Sequence, residues 1–505
     1  MNFILMNKAS EENIIWGASG LSHDAAIAVI KNGEIVFASS SERYSRVKND
    51  PNFHSALILD CLQYGYPDII VWYEKPLKKF LRRLLIDKRW SLYSVENTFK
   101  EFGIKTPIKY VDHHVSHLGG SLYTAPWKNL NNTLGLVVDS VGEFKTLSVW
   151  DIKNEDNYKC IYSQYYPNSL GLFYSSITDL LGLKPQEEEY IMMGMASYGD
   201  SSEKEGKRFY NYFLENFFDK KGNLILDLRR GCRGIASDIV NDEDNAKFNI
   251  AWAAQKVYEK VVLDIAKKYI EQTGYKKLVM SGGCALNCTA NTHIHKLVDD
   301  MWIFPNPGDA GSSLGAALAY YGKRVELKNM CLGHDANTNI DVDDLVNHIN
   351  INKMAGVIYG KGEFGPRAFG HRSILADPRE PNIKDIVNEV KGREKFRPFA
   401  PMVLQEHFND VFEGVNNNTY YPYMQFTFNC KKPELYPGIV HVDGTSRVQT
   451  VNSDQPFVYD VLKKWYALTG CPVLLNTSLN IKGKPLLNSP SDITEFNNKL
   501  LKIYG

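Results

Sequence analysis

The chain is 505 residues long, room for two to four domains at about 100–200 residues each. Hydrophobic residues make up 44% and charged residues 23%, which excludes a disordered or collagen-like chain. Lysine plus arginine and aspartate plus glutamate both number 58, so no net positive field gathers a nucleic-acid polyanion. No apolar run reaches the about 18 residues of a membrane span. The opening MNFILMNKAS lacks the long apolar stretch and small-residue cleavage site of a signal peptide. Eight scattered cysteines match reduced thiols in a cytosol better than a disulfide framework. These features predict a cytoplasmic, multidomain protein with no membrane and no polymeric nucleic acid among its partners.

In chain order, Ala25–Ile30 and Glu34–Ser39 are β-rich runs around Lys31-Asn32-Gly33, and Asn-Gly between such runs predicts a tight hairpin. Ile69–Tyr73 reads as a short strand and Pro76–Tyr93 as a basic, amphipathic helix. A strand ending at Asp139, a turn containing Gly142 and a second hairpin opening at Thr146–Ile152 repeat the first unit. The polar residues His23 and Asp24 in one copy and Asp139 and Glu143 in the other occupy the turn after the first strand. This predicts an internal duplication, with two similar lobes facing one cleft. Asn249–Gln272 has helical spacing, and KKLVMSGGCALNCTAN and MWIFPNPGDAGSSLGAALAYYG each read as strand, Gly-containing loop and helix. The alternation predicts α/β layering. The polar stretch Lys323–Asn339 marks a junction, giving units of 1–330 and 331–505, with the second sheet opening at Ala355.

In VDHHVSHLGG, His113 and His117 are four apart and share one face of a helix, the spacing of a metal grip as well as of a solvated helix start. Asp139 and Asp309 are the carboxylates that would complete a site for a divalent first-row ion. Cys284 and Cys288 share that spacing but lack a second cysteine pair, and are read as core. Ser281-Gly282-Gly283 after a strand and the run from Gly308 before a helix resemble turns whose N–H groups cradle a nucleotide. Lys391, Arg393, Lys395 and Arg397 are spaced by two, which on an extended strand stacks like charges on one face and asks for an anion. An edge strand charged against aggregation explains the same spacing. Asn476, Ser478, Asn480 and Lys482 would form a facing polar strand. Arg367 and Arg372 among glycines and Arg447 in DGTSRVQTV are further anion donors.

Taken together, SHDAAIAVIKNGEIV, SERYSRVKND, VDHHVSHLGGSLYTAPW, VVDSVGE, YIMMGMASYG, MSGGCALNC, PNPGDAGSSLGAAL, EFGPRAFGHRSILADPR, KGREKFRPFAPMVL, DGTSRVQTV and VLLNTSLNIKGKPL resemble the O-carbamoyltransferase family, which includes nodulation, cephem, aminoglycoside and ansamycin carbamoyltransferases. The motifs run in order over nearly the whole chain. The resemblance implies an α/β protein with a duplicated, two-lobed actin/hexokinase-like N-terminal domain and an α/β C-terminal domain similar to threonylcarbamoyl-adenylate synthases. It implies ATP and carbamoyl phosphate as substrates, combined into carbamoyl-adenylate in the C-terminal domain at Arg367, Lys391, Arg393, Arg397 and Arg447, with Asn476, Ser478 and Asn480 beside them. Transfer to a small hydroxylated acceptor (a sugar, an antibiotic or a hydroxymethylated nucleotide) follows in the N-terminal domain. His23 is the expected base, Asp24 its partner and Arg393 the catalytic cation. Ser140, Gly142, Gly282, Gly283, Asn287 and Gly308 are the expected adenylate contacts. His113, His117, Asp139 and Asp309 are the expected ligands of Fe2+ or a similar ion, with Mg2+ accompanying ATP, and a homodimer is left open. Ile191 stands where the family has lysine, Ser197 replaces a proline, and Phe369 and His371 replace leucine and asparagine. The stretch 200–250 is the least familiar and is read as shaping the acceptor pocket. The competing readings are a tRNA threonylcarbamoylation enzyme and a sugar kinase of the actin-like fold.

Overall fold

The computed structural model describes residues 13–88, 93–199, 204–219, 244–415, 418–496 and 501–505. The opening decapeptide, Cys232 and most of the 200–250 stretch therefore lie outside the described residues.

The first sheet holds β1 (Ile14–Ser19), β2 (Ala26–Lys31), β3 (Glu34–Ser40), β4 (Ile69–Trp72) and β5 (Ile108–Tyr110). Its order is β3-β2-β1-β4-β5, antiparallel on the hairpin side and parallel on the other. The second sheet holds β6 (Thr133–Gly142), β7 (Lys145–Asn154), β8 (Asn157–Tyr165), β9 (Lys277–Ser281) and β10 (Asp300–Ile303). Its order, β8-β7-β6-β9-β10, repeats the first strand for strand with the same directions. The expected duplication is present. The first hairpin turns through Asn32 and Gly33, both with positive φ (54° and 86°), as a two-residue turn between right-twisted strands requires. β6 does not stop at Asp139: its pairing with β7 slips after Val138 and resumes at Gly142, so Asp139 sits on a bulge facing the cleft.

The Pro76–Tyr93 helix is shorter than its pattern suggests. It forms α1 (Pro76–Arg82) and one wide π turn, Arg83–Asp87, while residues 89–92 lie outside the described set. Two further helices join the lobes, α2 (His113–Thr124) and α3 (Asp309–Tyr321). They cross with almost no side chain between them, because a methyl at Gly315 would stand 1.9 Å from the Ser116 carbonyl and one at Gly119 would stand 2.4 Å from the Gly315 carbonyl. This contact brings the first turns of the two helices together.

The expected junction is itself a strand, β11 (Cys331–Asp335). A helix over Val342–Asn352 then precedes β12 (Met354–Ile358), so the third sheet has a helical lead-in that the sequence reading passed over. β11 pairs with β13 (Lys361–Glu363). The third sheet adds β14 (Arg372–Ala376), β15 (Ala400–Leu404), β16 (Gln449–Val451), β17 (Val473–Ser478) and β18 (Ile503–Tyr504). It is a mixed six-stranded sheet in the order β16-β15-β17-β14-β12-β18. Its apolar core is continuous with that of the second lobe, from Leu134 and Leu136 to Val473 and Leu474. Arg46 ties the first lobe to the C-terminal unit, holding Glu495 at 2.9 and 3.0 Å and donating to the Pro485 and Leu486 carbonyls. The architecture is mixed α/β, and no helix among the described residues is long and apolar enough to cross a membrane.

Candidate active site in a shared cavity

A cavity of about 650 Å³ lies between the two lobes and the C-terminal unit. One part of its wall carries imidazole and carboxylate groups from the lobes, and another carries cations from the C-terminal unit.

His113 and His117 lie on the first two turns of α2, Asp309 opens α3 and Asp139 occupies the β6 bulge. Their four ligand atoms lie within 4.8 Å of one another. The two Nε2 atoms are 3.0 Å apart, Asp139 Oδ2 is 3.3 Å from His113 Nε2, and Asp309 Oδ1 is 3.3 Å from His117 Nε2. Burial opposes protonation of His113, but Asp309 and Asp139 outweigh it and raise the imidazole to about 9. Asp139 is held well below the usual carboxylate range, burial being outweighed by the neighbouring imidazoles. The supporting shell also suits a metal. Ser312 Oγ is 3.0 Å from His117 Nδ1, and the Gly283 N–H donates to Asp139 Oδ1 at 3.2 Å, so Nε2 and Oδ2 face the centre. Two imidazoles and two carboxylates fit a divalent first-row ion. His114, the remaining histidine of this helix start, points elsewhere. Its Nδ1 meets Ser148 Oγ at 2.7 Å, and burial holds its pKa well below the usual value.

His23 and Asp24 form the turn after β1, with His23 Nδ1 2.9 Å from Asp24 Oδ2 and Asp24 at φ 42°. Burial would lower the His23 pKa, but the bond to Asp24 and the carboxylates of Asp24, Asp309 and Asp139 raise it to about 9. Both residues line the cavity, as do Ser140, Gly283, Asn287 and Gly308. Gly142 and Gly282 do not. They are glycines for packing: a methyl at Gly142 would stand 1.8 Å from the His113 ring, and one at Gly282 would stand 2.1 Å from the Val138 carbonyl. Asn287 caps the helix that follows it, accepting from Ala290 N at 3.1 Å, and exchanges amide bonds with Gln255 at 2.9 Å.

The basic residues reach the cavity, but not from a strand. A helix over Ile383–Val390 ends at Lys391, Gly392 turns at φ 61°, and the chain continues irregularly to β15. Lys391, Arg393 and Arg397 line the cavity, whereas Lys395 is exposed on another side. Lys391 Nζ is buried against β17, donating to Asn480 O at 2.8 Å, to Asn480 Oδ1 at 2.9 Å and to the Ser478 carbonyl. Arg393 is fixed by Asn388 Oδ1 at 2.5 Å and lies over Phe399, 4.4 Å from the ring centre. Among the described residues its Nη2 is buried with no hydrogen-bond partner, and so is Arg447 Nε. Arg397 lies over the Tyr190 ring at 4.9 Å and meets Glu394 at 3.6 Å. Arg367 joins them from the loop before β14. Burial first, and then repulsion from Arg447 and Arg397, lower the Arg367 pKa to about 9. Lys391 and Arg393 are pushed down by burial and by their cationic neighbours. Crowding of this kind is unfavourable until an anion enters.

Asn476, Ser478, Asn480 and Lys482 line the cavity beside these cations, although β17 ends at Ser478. Asn476 is chiefly engaged with the protein, donating to the Ala368 carbonyl at 2.8 Å and to Gln449 at 2.9 Å. Arg372, an anion donor in the sequence reading, is spent on backbone carbonyls, including those of Asn488, Tyr359 and Gly360. Cys288 is not simply core: it is buried but lines the cavity. Sequence reasoning missed the buried Glu74–Lys79 pair at 2.6 Å, which also lines the cavity. Its one sequence signal is a charged residue placed directly after the apolar β4 run.

Residues 77–318 match the carbamoyltransferase N-terminus family and residues 346–502 the carbamoyltransferase C-terminus family. The uncharacterized protein sll1178 of Synechocystis sp. is 31% identical, with 95% of this chain and 93% of that protein covered. Nodulation protein NolNO of Sinorhizobium fredii is 30% identical over 94% of this chain and 76% of its own length. Full-length HypF in its phosphate- and nucleotide-bound form is 13% identical. It covers 61% of this chain and 55% of that chain at a TM-score of 0.37, too slight a likeness to bear on the fold. With both of its halves matched to one family and near full-length relatives at this identity, the chain belongs to the carbamoyltransferase family and is a carbamoyltransferase enzyme.

Proposed function

We propose that the protein is an ATP-dependent O-carbamoyltransferase that makes carbamoyl-adenylate against its C-terminal cations and transfers the carbamoyl group to an acceptor hydroxyl at the His23 turn. In this reading residues 331–505, similar to threonylcarbamoyl-adenylate synthases, supply the first step. Residues 1–330, an actin/hexokinase-like pair of lobes, supply the second. The observation that carries it is one cavity bearing five buried or half-buried cations with few carboxylates on one part of its wall and the His/Asp cluster with His23 on another.

Atom balance sets the sequence. Water releases phosphate from carbamoyl phosphate and leaves carbamate. A carbamate oxygen then attacks the α-phosphorus of ATP, and pyrophosphate departs. Arg393 and Arg447, each with a buried unpartnered nitrogen, are placed to hold the phosphate oxygens, and Arg367 and Arg397 balance the remaining charge. Lys391, anchored to Ser478 and Asn480, orders that side of the pocket. The acceptor oxygen next attacks the carbamoyl carbon, AMP leaves, and the hydroxyl proton passes to the neutral imidazole of His23, the form that becomes populated as pH rises toward about 9. Asp24 holds Nδ1, which leaves Nε2 to carry that proton. A divalent ion held by His113, His117, Asp139 and Asp309 would supply a Lewis acid beside the transfer position.

The test is ATP–pyrophosphate exchange with carbamoyl phosphate present or withheld. Exchange that requires carbamoyl phosphate is expected. Exchange without it, or none with it under conditions where the chain is folded, refutes the adenylate route.

A further inference from the structure

The helix α1 is turned against its own amphipathic pattern. Leu77 and Leu81 are 66% and 42% exposed, and Leu85 in the following π turn is 70% exposed, whereas Lys79 is only 6% exposed. Lys79, Arg82 and Arg83, on one helical face, line the cavity. Leaving three leucines in water while cations face inward is unfavourable unless the inward face has an anion to meet.

Among the described residues, the counter-charge for Lys79 is Glu74, and none is seen at Arg82. Glu74, buried beside the helix, holds Lys79 Nζ at 2.6 Å and accepts from the Tyr93 hydroxyl, so its charge is already met. Among the described residues, Arg82 Nε is buried with no hydrogen-bond partner. Position decides what the ligand is. Lys79 Nζ also reaches Ser22 Oγ at 2.5 Å, and Ser22 directly precedes His23. The α1 face therefore borders the transfer turn, whereas the cations suited to carbamoyl phosphate and ATP come from the C-terminal unit.

We propose that this face is an anion subsite for the acceptor, so that the acceptor is a hydroxylated molecule carrying a phosphate or carboxylate. The Arg82 side of the face holds the anion and directs the hydroxyl toward His23. The inference rests on the transfer reading above, but the subsite can be measured without turnover.

The full-length protein is titrated calorimetrically with glucose, glucose 6-phosphate and glucuronate, and with cytidine and its 5′-monophosphate. Charge-assisted hydrogen bonds predict that anionic members bind about tenfold tighter or more than their neutral partners. With ATP present to occupy the C-terminal cations, Arg82→Gln should erase that preference and Arg82→Lys should keep much of it. The phosphate and carboxylate arms show which anion fits. Equal binding of neutral and anionic members, or a preference surviving in Arg82→Gln, would each overturn the subsite. An anion preference at Arg82 in a protein that shows no carbamoyl-dependent exchange would instead overturn the functional reading and leave the subsite standing.

Discussion

Replacing Gly142 by alanine tests the metal centre without altering a ligand. The added methyl would stand 1.8 Å from His113 Cδ2 and 2.5 Å from Nε2, where ordinary contact begins at 3.4 Å, so the ring must retreat by about 1.6 Å. His113 has little room, being 2% exposed and packed between Tyr73 and His117, whose ring centres lie 5.4 and 4.6 Å away. Overpacking of this kind costs about 1–3 kcal/mol in stability. The functional loss should be larger, because ligand distances tolerate only about 0.2 Å. Metal content measured by mass spectrometry after dialysis should fall by an order of magnitude, and acceptor carbamoylation should fall with it. Carbamoyl-dependent ATP–pyrophosphate exchange should persist, since no residue of the cationic cluster is disturbed. A Gly142→Ala protein with wild-type metal content and transfer would refute the placement of His113 in the centre.

Two complementary variants test the division of labour. Arg393→Ala should abolish exchange yet transfer from supplied carbamoyl-adenylate, whereas His23→Ala should keep exchange and lose transfer by about 10²–10⁴-fold in single-turnover assays. Equal loss of both steps in both variants, with circular dichroism unchanged, would indicate one composite site, an outcome the shared cavity makes worth testing. In metal-free protein the raised His113 pKa, about 9, means that metal must displace a proton, so affinity should rise roughly tenfold per pH unit below about 9 and level off above it. The same raised pKa stabilises the metal-free fold fully below its unfolded value of about 6.5, and that contribution is lost as pH rises through about 9. Thermal melts across that window should therefore show a falling transition temperature that added metal suppresses.

What the sequence disclosed and what it hid divide along a physical line. The hairpins were legible because alternation and Asn32-Gly33 are local signals, and the duplication followed because both copies carry them. His113 and His117 were legible as a pair because helical spacing alone puts them on one face. Their meeting with Asp309 was not, since it depends on the close crossing that Gly119 and Gly315 permit. The alternation of Lys391, Arg393, Lys395 and Arg397 misled for a related reason. A period of two means a shared face only on a regular strand, and the turn at Gly392 sends three of the four inward and Lys395 out. The deepest failure is α1, whose pattern was read correctly as amphipathic but gives no sense of direction. Hydrophobicity places Leu77 inside and Lys79 outside, and the fold does the reverse. Such a reversal persists when a bound group offsets what the protein alone leaves unfavourable. Lys79 is met by Glu74 within the protein, so the part of the reversal that marks a ligand is Arg82, whose Nε is buried without a hydrogen-bond partner among the described residues on the cavity wall that adjoins the His23 turn.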